Sequence, residues 1–144
     1  MEEKRMAERE KSVLSGKNRK EVLFMENQAE KFNFRVVHIG INCGDVEKTK
    51  KTADLFTKMF GFSQSDTPIS IFSSDSIELM KSVGRGKNGH IAIGTSDIVG
   101  AKKYLEGLGF EFDESSAALD ANGRLYLIYL RGDFMGFAVH LINR

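Results

Sequence analysis

Two short stretches decide the fold: Arg35-Val36-Val37-His38-Ile39-Gly40-Ile41-Asn42 and Gly89-His90-Ile91-Ala92-Ile93-Gly94. Each is a run rich in β-branched residues, the kind that forms a strand, and each carries a histidine at the matching position. The residues after each stretch match too. Beyond the first, Cys43-Gly44-Asp45 breaks the strand and Asp45 can cap a helix. Val46, Thr49, Ala53, Phe56 and Phe60 then recur at spacings of three and four until Gly61. Beyond the second, Ser96-Asp97 precedes a helix carrying Ile98, Ala101, Leu105 and Leu108, which stops at Gly109. Turn residues divide the remainder of the first half into short strands at 62–64, 69–72 and 76–81. In the second half, residues 110–112 open a strand, and further strands are expected at 124–131 and 136–142. There Asn122-Gly123 signals a two-residue hairpin.

Strand, helix and three strands thus occur twice, which defines an α+β fold of two tandem βαβββ modules. The modules span about 34–83 and 88–144 and together predict a curved, cup-shaped mixed sheet within one domain, 34–144. A chain of 144 residues suits one such domain. Residues 1–33 differ: they are crowded with Glu, Lys and Arg. Their apolar residues form two clusters, around Val13-Leu14 and Val22–Met25, separated by Gly16-Lys17-Asn18. This is a charged arm, solvated and partly helical or disordered, with Val22, Met25 and Ala29 spaced for a helix over 21–31.

Composition narrows the function. A formal net charge of +1 gives no basic field for nucleic acid, and a single cysteine, Cys43, excludes an internal disulfide or a zinc ribbon. The mixed-charge start and the absence of a long apolar run predict a cytoplasmic protein without a membrane partner.

The chain has only three histidines, His38, His90 and His140. Two open the modules, and the third lies in the last strand of the second module. The equivalent place in the first module is held by Glu78. Because side chains at i and i+2 share a face, His38 lies with Val36, Gly40 and Asn42, opposite Val37, Ile39 and Ile41, which are expected to face the helix. His90 lies with Ala92 and Gly94, and His140 with Ala138 and Ile142. Each histidine therefore points away from the bulkier apolar face, and Glu78 joins the candidates through its correspondence with His140. Imidazoles with a carboxylate suit zinc, nickel, manganese or ferrous iron, whereas calcium wants more oxygens. Three neutral imidazoles and one carboxylate leave a divalent ion at net charge +1, with positions for water or substrate. The linker Ser82–Gly89 lacks the order of a phosphate-binding loop and precedes a strand. Its Arg85 and Lys87, with Asn42, are candidates for holding a substrate carboxylate or phosphate. Tyr126 and Tyr129 point to opposite faces, so at most one can reach the site.

The duplicated order, Gly89-His90-Ile91-Ala92-Ile93 and Ile77-Glu78-Leu79 resemble the vicinal oxygen chelate superfamily, which includes glyoxalase I, bleomycin- and fosfomycin-resistance proteins and extradiol dioxygenases. The resemblance covers about residues 34–144. It implies metal ligands at His38, Glu78, His90 and His140, and His140 stands where that family usually has a glutamate. In glyoxalase I that carboxylate assists proton transfer, so the resemblance makes Glu78 and His140 the candidate catalytic bases. The phrases at 37–43, 77–82 and 89–95 are further similar to the chelate-type domain at the C-terminus of some bacterial keto-hydroxyglutarate/keto-deoxy-phosphogluconate aldolases. Together these imply a divalent-metal-dependent lyase or isomerase acting on a small 2-keto or hydroxy acid through an enediolate-like intermediate. The alternative is a non-catalytic binding or accessory module of the same fold. Related modules often pair, so a homodimer is expected.

Overall fold

The computed structural model describes residues 4–5, 7–8 and 16–144, apart from the side chains of 25–27. Val13, Leu14 and the side chain of Met25, which figured in the reading of the arm, lie outside the described residues. The elements run α1 (Arg19–Glu30), β1 (Arg35–Asn42), α2 (Val46–Phe60), β2 (Gln64–Asp66), β3 (Ser70–Ser73), β4 (Ile77–Met80), β5 (Gly89–Thr95), α3 (Ile98–Gly107), β6 (Phe112–Leu119), β7 (Leu125–Leu130) and β8 (Phe137–Asn143). The two βαβββ modules of the sequence are therefore present, as an eight-stranded mixed sheet in the order β2-β3-β4-β1-β5-β8-β7-β6.

The chain packs as two compact units whose limits are not those of the sequence repeat. One comprises Val36–Ala92 with Phe134–Val139; the other comprises residues up to Arg35, Ile93–Asp133 and His140–Arg144. Strands β5 and β8 contribute to both.

In the first unit β1 pairs in parallel with β4, setting Gly40 beside Glu78, and β3 runs antiparallel to β4, setting Phe72 beside Glu78. Asp45 caps α2, its carboxylate accepting from the Lys48 amide at 2.7 Å. The helix buries Ala53 against Ile71 and Leu79, with Phe56, Ile77 and Cys43 around them. Ile39 and Ile41 are not covered by the helix as expected; they remain 42% and 37% exposed. The topology explains this. The chain must pass from β1 to β2 at the sheet edge, so α2 lies over the intervening β4 and β3 and leaves β1 bare.

The second unit obeys the same logic. Helix α3 joins β5 to the edge strand β6 and buries Ile98 and Ala101 against Leu141, Ile128 and Phe112. Helix α1 begins at Arg19 because Asn18 and Glu21 form a capping box: Asn18 Oδ1 accepts from the Glu21 amide, and Glu21 Oε2 accepts from the Asn18 amide. After it Phe32 stacks on Tyr104 and Phe34, and Thr95 donates to the Phe32 carbonyl at 2.7 Å.

One difference from the sequence expectation lies between β6 and β7. Strand β6 begins at Phe112, within the stretch expected to open it, and runs to Leu119 through a bulge between Asp113 and Ala118. Ser116 Oγ accepts the Tyr129 amide in place of a ladder carbonyl. The connecting loop, however, is longer than two residues. Asp120 accepts from the amides of Asn122 and Arg124, and Gly123 (φ 75°) closes the turn back to Arg124.

Candidate metal centre

The centre begins with three residues of the first unit, His38 on β1, Glu78 on β4 and His90 on β5, all buried. Strand alternation and the β1–β4 register bring them to one sheet face. His38 Nε2 lies 3.1 Å from His90 Nε2, and Glu78 Oε2 lies 3.2 Å from the former and 3.0 Å from the latter. Three lone-pair atoms therefore stand at the corners of a nearly equilateral triangle. Ligands bonded to one ion at roughly 2.0–2.1 Å sit about 3 Å apart in octahedral and slightly farther apart in tetrahedral geometry. The triangle has that size. If both Nε2 atoms carry the protons that Glu78 Oε2 accepts, they face each other at 3.1 Å as two donors. If neither carries a proton, all three atoms offer lone pairs that one cation would suit together.

Burial works to raise the Glu78 carboxyl's pKa. Hydrogen bonds from His38, His90 and Ser70, with the charge of His90, outweigh it and hold the group well below the usual carboxylate range. Glu78 is thus an anion, which is the state a metal ligand requires.

Gly40 creates the space. A Cβ built there would come within 2.0 Å of His90 Cε1 and 2.2 Å of His90 Nδ1. Any other residue would occupy the position of the imidazole. His38 packs edge-on against Phe72, with centroids 5.4 Å apart at 88°. This sets the ring plane.

The other sequence candidates are placed differently. The Asn42 amide donates to the Gly86 carbonyl at 2.8 Å and its oxygen accepts from the Gly84 amide at 3.3 Å, so it anchors the linker. Arg85 and Lys87 are exposed on that linker. In the second unit His140 is 2% exposed, with its ring 4.9 Å from Tyr129, the residue that pairs with it across β7 and β8. Its Nδ1 lies 3.2 Å from the Leu141 carbonyl. With the Nδ1 proton donated there, Nε2 keeps its lone pair for a metal or a proton. Tyr126, by contrast, is exposed.

Sequence reasoning missed Ser70, which is fully buried and donates to Glu78 Oε1 at 2.8 Å. Alternation puts Ser70 and Phe72 on one face of β3, but only the register of β3 on β4 sets that face with Glu78.

No protein-family profile and no curated protein sequence matches the chain. Solved structures do resemble it. A methylmalonyl-CoA epimerase variant from Streptomyces coelicolor, in complex with 2-nitronate-propionyl-CoA, superposes with a TM-score of 0.56 at 19% identity, covering 76% of this chain and 96% of that one. The methylmalonyl-CoA epimerase of Mycobacterium tuberculosis gives 0.55 at 16% identity, covering 75% and 86%. A hypothetical protein of Bacillus halodurans gives 0.54 at 20%, covering 77% and 94%. The chain has the glyoxalase-like fold of the vicinal oxygen chelate superfamily. At such identities the likeness speaks for the fold alone. Among the described residues, no helix is long and apolar enough to cross a membrane.

Proposed function

We propose that this protein is a divalent-metal-dependent isomerase, of the epimerase kind, that moves a proton on the carbon beside a carbonyl of a small acid or acyl thioester. The observation that carries the reading is the buried triangle of His38, Glu78 and His90 donor atoms at 3.0–3.2 Å. His140, at the place in the second module that Glu78 holds in the first, is the further candidate the sequence repeat supplies, as a ligand or as the base, since its single Nε2 lone pair serves only one of the two. Zinc, nickel, manganese and ferrous iron all accept such a set of nitrogens and one oxygen. The ion supplies Lewis acidity toward neighbouring substrate oxygens.

The chain's own groups divide the remaining work. Glu78, held anionic by its hydrogen bonds, is a weak proton acceptor and serves best as a ligand. His140 is the better base, because its Nδ1 contact leaves Nε2 the basic nitrogen. Likeness to methylmalonyl-CoA epimerases favours an isomerase over the lyase also implied by the sequence resemblance, and favours an acyl-CoA among the substrates to try. A small 2-keto or hydroxy acid, as in the aldolase-linked reading, is the other class to assay.

Metal analysis of protein purified without a histidine tag tests the reading. About one equivalent of a transition metal per chain is expected. His90→Ala should abolish it, while the surface change Lys102→Ala should not. Less than about a tenth of an equivalent, unchanged after reconstitution, would sink the proposal. With metal present, solvent deuterium should enter the carbon beside the carbonyl of an active substrate, and His140→Ala should stop that exchange.

A further inference from the structure

We infer that Ser70, backed by Thr67, is a positioning residue that turns one oxygen of Glu78 to the histidines and withholds the other. This deepens the metal-site reading and rests on it. Glu78 divides its oxygens between two environments: Oε2 faces His38 and His90, whereas Oε1 accepts the Ser70 hydroxyl at 2.8 Å.

Proton bookkeeping gives the chain of hydrogen bonds a direction. A carboxylate only accepts, so the single Ser70 hydroxyl proton goes to Glu78. Toward Thr67 Oγ1, 3.0 Å away, Ser70 Oγ can then only accept, and the Thr67 hydroxyl proton is shared between it and the Ser70 carbonyl, also 3.0 Å away. Thr67 Oγ1 in turn accepts from the Ser70 amide at 3.0 Å and the Ile69 amide at 3.3 Å. The relay therefore runs from backbone amides through two hydroxyls to the carboxylate, and each bond polarises the next.

The relay is also anchored. Thr67 precedes Pro68, the only proline in the chain, and its amide donates to the Ser70 carbonyl at 2.8 Å. Lys81 Nζ holds the Thr67 carbonyl at 2.6 Å and Asp66 Oδ1 at 2.5 Å. Ser70 itself is fully buried, so water cannot replace its hydroxyl without displacing packed atoms. A carboxylate held in this way would offer an ion one oxygen, Oε2, and keep Oε1 for Ser70. Groups that orient metal ligands are typically worth 10–100-fold in metal affinity.

The test uses cobalt(II), whose visible spectrum reports coordination number and geometry, with the full chain. Ser70→Ala should weaken cobalt binding by about 10-fold or more and change the ligand-field spectrum, with circular dichroism unchanged. Thr67→Val should produce a smaller loss in the same direction, and Ser70→Thr, which restores a hydroxyl, should recover the wild-type spectrum. A Ser70→Ala protein with wild-type affinity and spectrum overturns this inference alone. Wild-type protein that takes up no cobalt overturns it together with the metal reading.

Discussion

A methyl group at position 40 would sit 2.0 Å from His90 Cε1, yet the Gly40 backbone is that of an ordinary strand residue. Gly40→Ala should therefore fold while forcing the His90 ring out of the triangle. The expected outcome is loss of bound metal with an unfolding midpoint close to that of the metal-free wild type; retained metal would show that the ring has another accommodating position. Glu78 makes a second residue-scale prediction. Its folded-state pKa lies below the ordinary 4.5, so its ionised form adds stability that is fully present above that value and is lost as pH falls toward the folded one. In metal-free protein, urea unfolding should show stability falling below about pH 4.5, and Glu78→Gln should flatten that acid limb. At this scale the strand positions of His38, Glu78, His90 and His140 were legible, because the repeat places them without knowledge of the tertiary fold. Ser70 was not. Its role depends on the antiparallel register of β3 on β4, which sets Ser70 beside Met80 and Phe72 beside Glu78.

The helix–sheet layer of the first unit has its own test. Leu79 is fully buried against Ala53 and Ile71, and Leu79→Ala should cost about 2–5 kcal/mol in unfolding free energy. Ser73 differs from it. It is fully buried and its hydroxyl has no hydrogen-bond partner among the described residues, so Ser73→Ala removes an unmet polar group. Denaturant unfolding should place that variant at or above wild-type stability, by up to about 1 kcal/mol. The helix α2 itself was readable from its three-and-four spacing, down to Thr49 and Ala53 facing inward. Which strands it covers was not readable. Periodicity marks the buried side of an element but not its partner, and the β1-to-β2 crossover sends the helix over β3 and β4.

For the molecule as a whole, a ligand that binds only the folded state raises stability with its concentration. Free metal at about a hundred times its dissociation constant should add about 2.7 kcal/mol. Thermal unfolding should therefore shift upward with added zinc or cobalt and return with a chelator, in wild type but not in His90→Ala. The sequence by itself determined the duplicated βαβββ order, the mixed α+β class and the positions of His38, Glu78, His90 and His140 in their strands. Those rest on local physics: β-branched runs, helical spacing, turn residues and the two-residue period of a strand. Only the tertiary structure decided that His38, Glu78 and His90 meet within 3.0–3.2 Å, that Gly40 makes room for them and that Ser70 takes one carboxylate oxygen. These depend on which strands lie side by side and in what register. Such pairing joins residues far apart in the chain, so no local pattern records it.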